Sequence, residues 1–153
     1  KELSLIDNRI KIIEQDLCHK DLLGLYSCCD VLLSLHRSEG FGRIIAECIQ
    51  LGLEIVTTNW GGNTDFCDPN ITHLVSYKNK QITPGTYPYW PNQKWADPDL
   101  YQAADIFKQI YYGKRLNNNQ NKRKKTIYNF SLEKCGMRYK ERLDQISLKL
   151  SNN

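Results

Sequence analysis

The chain has 153 residues, a mass of 17.9 kDa and a formal charge of +4, so it makes one domain, two at most, with enough chain to bury a real core. Hydrophobic residues at 41% and charged residues at 25% exclude wholesale disorder. No apolar run approaches the roughly 18 residues needed to cross a bilayer.

In chain order, Ile10-Lys-Ile-Ile13 reads as a short strand. His19–Cys29 has helical spacing, with Leu22, Leu23, Leu25 and Tyr26 on one side. Val31–Leu35 is a nearly continuous apolar run, the pattern of a strand covered on both faces. Gly42–Leu51 reads as a helix, with Gly52 as its C-terminal cap. Leu53–Thr58 is a third strand and Thr72–Tyr77 a weak fourth. Strands alternating with helices of about ten residues imply βαβ units, hence an α/β architecture with a Rossmann-like parallel sheet and flanking helices. Beyond Tyr77 the pattern stops for about twenty residues, a segment over 78–98 rich in Pro, Tyr and Trp and of a length that often carries function. A helix follows from Asp99 to about Tyr112, capped by Asp97 or Asp99, and a last one begins near Leu132 with Ser131 as its N-cap. Tyr139, Leu143, Ile146 and Leu150 form one stripe of that last helix.

The charge is unevenly spread. Residues 108–142 hold eleven Lys/Arg and two Glu, leaving a balance of −5 over the rest. The plain reading is a solvated helix face plus an exposed connection over Asn117–Lys125. A second reading is peripheral contact with an anionic inner membrane face. Nucleic acid is not expected, because no aromatics interleave the run Lys122–Lys125 to stack on bases. Six cysteines, at 18, 28, 29, 48, 67 and 135, make no C-x-x-C pair and have no His at zinc-finger spacing. They read as free, mostly buried thiols of a reducing cytoplasm. Lys1–Ile6, followed at once by Asp7-Asn8-Arg9, lacks the pattern of a secretory leader. A first residue other than Met leads to the expectation of an excerpt from a longer protein.

The segment that carries chemistry is Ser38-Glu-Gly-Phe-Gly-Arg-Ile-Ile-Ala-Glu47. It joins the end of a buried strand to the start of a helix, where open parallel sheets bind ligands. The first helical turn offers free N–H groups and the positive end of the dipole, which suit a diphosphate. Gly40 and Gly42 are expected to permit unusual backbone angles and close approach. Glu47 follows about five residues inside the helix, or roughly 8 Å along its axis from the start. Two carboxylates so spaced suit the vicinal hydroxyls of two sugars better than a single metal ion.

Glu39 and Glu47, within S-E-G-F-G-x-x-x-x-E, resemble the E-x7-E motif of retaining glycosyltransferases with the GT-B fold. Leu35–Gly42 and Asn59–Phe66 resemble more narrowly the GT4-type family that includes bacterial polysaccharide mannosyltransferases. Pro84–Tyr89 and Trp95–Asp99 resemble an insertion found in one branch of it. The likeness spans about residues 8–110. It implies that the chain is part of the C-terminal, donor-binding domain: a core over about 8–77, the insertion over 78–98 and helices over 99–150. Glu39, the catalytic candidate, would meet hydroxyls of the donor sugar and Glu47 the ribose. Ser38, Gly40, Phe41 and Gly42 would contact sugar and diphosphate, and Gly62 and Asn63 would border the same pocket.

The donor implied is GDP-mannose or another nucleoside diphosphate hexose, acting as substrate, with no metal and no separate cofactor expected. The acceptor, a glycan or a lipid-linked one, would be held by an N-terminal domain outside this chain, so the 153 residues alone are expected to be inactive. An Arg and a Lys that clasp the diphosphate in the family have no counterpart before Ile10. Trp95 and the insertion's tyrosines are further candidates for the cleft wall.

Three other readings remain. A dinucleotide oxidoreductase would want Gly or Ala where Ile45 stands. A non-catalytic sugar-nucleotide-binding or scaffold domain would keep the motif without turnover. Asp97-Pro-Asp99 has the outline of a metal clasp but reads better as a helix start.

Overall fold

The computed structural model describes residues 6–88, 91–116 and 120–151. Helix α1 (His19–Ser27) leads into strand β1 (Val31–Ser34), α2 (Arg43–Leu51) and β2 (Glu54–Thr58). A 3-10 turn, Gly62–Asp65, precedes β3 (His73–Val75), after which come β4 (Tyr77–Gln81) and β5 (Lys94–Pro98). Helices α3 (Leu100–Tyr111), α4 (Gln120–Tyr128) and α5 (Leu132–Ser151) complete the described chain.

Strands β1, β2 and β3 form a parallel sheet in that order, with Leu33 opposite Val56 and Thr57 opposite Leu74. All five residues of β2 are buried because helices cover both faces of the central strand. Alternation of side chains along β2 sends Ile55 to one face and Val56 to the other. On the first, Ile55 packs with Ile45, Cys48 and Ile49 of α2 and Ile127 of α4. On the second, Val56 packs with Val75 and with Ala103 and Ile110 of α3. The protein is therefore a mixed α/β structure with a small parallel sheet between helices.

Helix α2 begins and ends on glycines in the left-handed region, Gly42 at φ 87° and Gly52 at φ 89°. The expected cap at Gly52 is present, its N–H donating to the carbonyls of Cys48 and Ile49. Of the two caps proposed for α3, Asp99 is the one used, accepting from the N–H groups of Tyr101 and Gln102 at 3.0 Å. Ser131 caps α5 through a bond from the Lys134 N–H.

Several expectations need correction. Ile10–Ile13 is not a strand; its isoleucines are exposed and pair with no strand among the described residues. β1 is not covered on both faces: Leu33 is exposed, because α3 lies over β3 rather than over the middle of β1. At the two ends of the segment over 78–98, β4 and β5 pair antiparallel, with Lys80 facing Trp95 and Asn79 facing Ala96. Pro98 closes β5 instead of opening a helix. Within the basic stretch, Gln120–Tyr128 is a helix that buries Arg123 and Ile127, not an exposed connection. Residues 117–119, also assigned to that connection, lie outside the described residues. Only Cys48 and Cys67 are buried; Cys18, Cys28 and Cys29 are exposed free thiols. Among the described residues no helix is long and apolar enough to cross a membrane.

Candidate functional site

The carboxyl ends of β1, β2 and β3 lead into three loops that are bonded to one another. His36, two residues past β1, places Nε2 at 2.7 Å from the Trp60 carbonyl, so that nitrogen carries the proton and Nδ1 accepts from the Ser34 hydroxyl. Thr58 Oγ1 donates to the His36 carbonyl at 2.8 Å, and the Asn59 N–H donates to the Val75 carbonyl at 2.9 Å. The hairpin joins in through the Ala96 N–H, which donates to the Arg37 carbonyl at 2.9 Å.

Within this frame the Glu39–Gly42 loop lies directly on the Gly61–Gly62 turn. The Gly62 N–H donates to the Glu39 carbonyl at 2.9 Å. A methyl group on Gly62 would lie 1.7 Å from the Gly40 carbonyl oxygen, and one on Gly61, at φ 95°, would lie 2.7 Å from the Glu39 carbonyl oxygen. Only glycine lets the two backbones meet here. Gly42 is constrained as well, by its positive φ and by Asn63 Cβ at 3.3 Å from where its own Cβ would sit. Gly40 is not: its φ is ordinary, and a Cβ there would meet nothing within 4 Å. Of the two glycines expected to permit unusual backbone angles, Gly42 adopts one and Gly40 does not.

The carboxylate of Glu39 is half-buried and accepts from the Gly42 N–H at 3.1 Å, so it sits over the amino end of α2. The next amides of that first turn have no carbonyl within the helix to receive them. Glu47, one turn further on, holds Oε1 at 3.1 Å from His19 Nε2 and 3.6 Å from Arg43 Nε. Its Oε2 is buried with no hydrogen-bond partner among the described residues.

Phe41 does not present its ring to a ligand space alone. The ring packs 5.0 Å from Phe66 and 5.5 Å from Phe130, tying the loop to the end of α4. Asn63 is fully buried under Gly42; its side-chain amide donates to the Thr58 carbonyl at 3.0 Å, which makes it a support for the loop rather than a wall. Gly62 supports in the same way. Ser38 is exposed and lines a cavity of about 380 Å3 together with Ile82, Tyr87, Gln93, Lys94 and Trp95. A larger cavity, about 580 Å3, is lined by Asp65, Phe66, Asp68, Phe130 and Arg138 among others, and holds neither glutamate.

The motif residues Glu39, Gly40, Phe41, Gly42, Gly62 and Asn63 thus come together, with Ser38 at one margin and Glu47 one helical turn away. His19, His36, Arg37 and Gly61 belong to the same frame but were not singled out from the sequence. Gly61 had a signal, a Gly-Gly pair after a strand; the others become neighbours only through the chain's path. Tyr89 and Trp90 of the insertion lie outside the described residues. Among the described residues no group of His, Cys, Asp and Glu is arranged to hold a metal ion. Compared with models of known protein families and with curated proteins, the chain matches none.

Proposed function

We propose that the chain is the donor side of a retaining glycosyltransferase of the GT-B type, binding a nucleoside diphosphate hexose for transfer to a glycan or lipid-linked acceptor. The observation that carries this reading is the contact of the Glu39–Gly42 loop with Gly61–Gly62 above the start of α2. It sets a carboxylate, an open space at Gly40 and a helix amino end beside one another at the carboxyl edge of a parallel sheet. That combination suits an anionic diphosphate linked to a polyol.

In this reading the diphosphate lies at the first turn of α2, replacing Glu39 as acceptor of the Gly42 N–H. Glu39 then turns to hydroxyls of the hexose, and Glu47 accepts from the ribose diol. Catalysis is positioning plus stabilisation of the departing diphosphate, as the sugar gains oxocarbenium character. GDP-mannose is the donor favoured by the resemblance, with other nucleoside diphosphate hexoses fitting the same frame. The acceptor side belongs to an N-terminal domain, and the setting is the cytoplasm, with contact to the inner membrane face through the basic helices.

The test is a thermal-shift panel of GDP, UDP, ADP and dTDP, each free and as its hexose conjugate. A rise in Tm with one base, larger for the conjugate than for the free nucleotide, supports the proposal. No shift with any of the eight would leave the scaffold reading in its place.

A further inference from the structure

Glu47 is approached from two elements. Arg43, one turn earlier on α2 itself, has Nε at 3.6 Å from Oε1, a charge contact beyond hydrogen-bond distance. His19, the first residue of α1, has Nε2 at 3.1 Å from the same oxygen. A carboxylate only accepts, so this Nε2 carries a proton and donates. The bond joins residues 28 positions apart and ties the carboxylate to a second helix.

Packing of α1 aims the imidazole. Tyr26 lies seven residues after His19, about two helical turns, so the two side chains share one face of α1. Tyr26 packs against the core cluster that holds Ile45, Cys48 and Ile49 of α2. The face that seats α1 on the core is therefore the face that presents His19 to Glu47. Oε2 of Glu47 is buried with no partner among the described residues, which leaves Oε1 for a ligand hydroxyl to meet. A carboxylate oxygen carries two lone pairs, so Oε1 can hold the His19 N–H and still accept one hydroxyl.

His19 is 63% exposed, and an exposed pair of this kind adds little to stability. Its effect falls instead on where Oε1 points. Without it the carboxylate keeps only Arg43, a long and exposed side chain on its own helix, which fixes no position relative to α1.

We infer that His19 is a positioning residue for ribose recognition: its Nε2–H holds Oε1 of Glu47 where that oxygen accepts from the ribose diol, so that α1 sets a preference for ribonucleotides over their deoxy counterparts. This rests on the reading that Glu47 meets the ribose of a nucleoside diphosphate. His19 touches no part of the ligand and acts through Glu47 alone.

The experiment is calorimetric titration of the full chain with GDP, UDP and ADP, each beside its 2′,3′-dideoxy form. It is repeated with His19→Ala, His19→Gln, Glu47→Gln and the double variant His19→Ala/Glu47→Gln, each first shown to unfold near the parental Tm. The wild type should bind one ribonucleotide at least about tenfold more tightly than its dideoxy form, as for loss of a hydrogen bond to a charged group. His19→Ala should weaken that ribonucleotide roughly three- to tenfold and leave the dideoxy form unchanged, so the discrimination shrinks. His19→Gln, whose amide N–H replaces the imidazole donor, should restore most of it. In the double variant the two losses should not add, because both act through one oxygen.

Equal weakening of both forms by His19→Ala, no weakening of either, or additive losses in the double variant would overturn the role of His19 and leave the donor reading standing. A wild type that binds ribonucleotide and dideoxynucleotide equally would overturn the inference by removing the ribose from Glu47, while nucleotide binding stands. A wild type that binds none of the nucleotides would overturn the donor reading and the inference together.

Discussion

Gly62 and Gly40 meet backbone to backbone: a methyl group on the first would lie 1.7 Å from the carbonyl oxygen of the second. The loops that follow β1 and β2 are thereby locked together at the point where the motif begins. The same contact gives a pair of glycines with opposite tolerance. Gly62→Ala must push one loop off the other and is expected to cost about 1–3 kcal/mol or more, the range for an overpacked interior. Gly40→Ala meets open space and should change stability by less than about 0.5 kcal/mol. Urea denaturation of the two variants checks this. In a nucleotide titration, Gly40→Ala should nonetheless weaken binding if its open side faces the ligand.

Arg123 is fully buried, with Nη1 donating to the Leu53 carbonyl while Nε and Nη2 have no hydrogen-bond partner among the described residues. Burial pulls its pKa down, and nearby Glu54 opposes that. Glu54 itself is buried and has His73 Nε2 at 3.0 Å. Unmet donors make the charge costly, so the volume of the side chain matters more than its charge. Arg123→Met should stay within about 1–2 kcal/mol of the parent, whereas Arg123→Ala should lose about 2–5 kcal/mol through the cavity it leaves. Equal losses in thermal or urea unfolding would mean that Glu54 needs the guanidinium.

Burial pushes the Cys48 and Cys67 thiols up to about 11 from an ordinary value near 9. In the unfolded chain both ionise from about pH 9 while the folded chain keeps them protonated. Their contribution to stability is full below pH 9 and is lost as pH rises through the folded values near 11. The fall in Tm across that window should become shallower in Cys67→Ala. At pH 8, thiol alkylation followed by mass spectrometry should label Cys18, Cys28 and Cys29 quickly and leave Cys48 and Cys67 protected until the chain unfolds.

The alternation of apolar runs with turn residues made the central elements readable before any coordinates. Gly42–Leu51 has one periodic buried face and Leu53–Thr58 is buried throughout, and both appear within a residue or two of their expected limits. What escaped was set by long-range packing. Tyr77-Lys-Asn-Lys-Gln81 carries almost no apolar signal, because a two-stranded hairpin can leave most side chains in solvent. The helix at Gln120–Tyr128 was hidden by its charges. Its core face is Arg123 and Ile127, four residues apart, and a buried arginine reads as a surface residue in any hydrophobic pattern. Ile10–Ile13 had the opposite fault, since β-rich composition makes a strand only where another strand lies beside it. At the candidate site, spacing singled out Glu39 and Glu47 but not that His19, from another helix, sits at one oxygen of Glu47.

The measurement that bears most directly on the donor proposal is calorimetric titration of a nucleoside diphosphate into the wild type, Glu39→Gln and Glu47→Gln. Each variant is first shown to unfold at the parental Tm within a few degrees. Glu47 is assigned to the ribose, so Glu47→Gln should weaken the free diphosphate by roughly ten- to hundredfold, the loss of one charged hydrogen bond. Glu39 is assigned to the hexose, which the free diphosphate lacks, so Glu39→Gln should not weaken the free diphosphate and should lower only binding of the sugar conjugate. Equal loss of free-diphosphate affinity in both variants would reverse the ligand's direction along the motif. Unchanged affinity in both, with the wild type binding, would contradict the account by removing both carboxylates from the site.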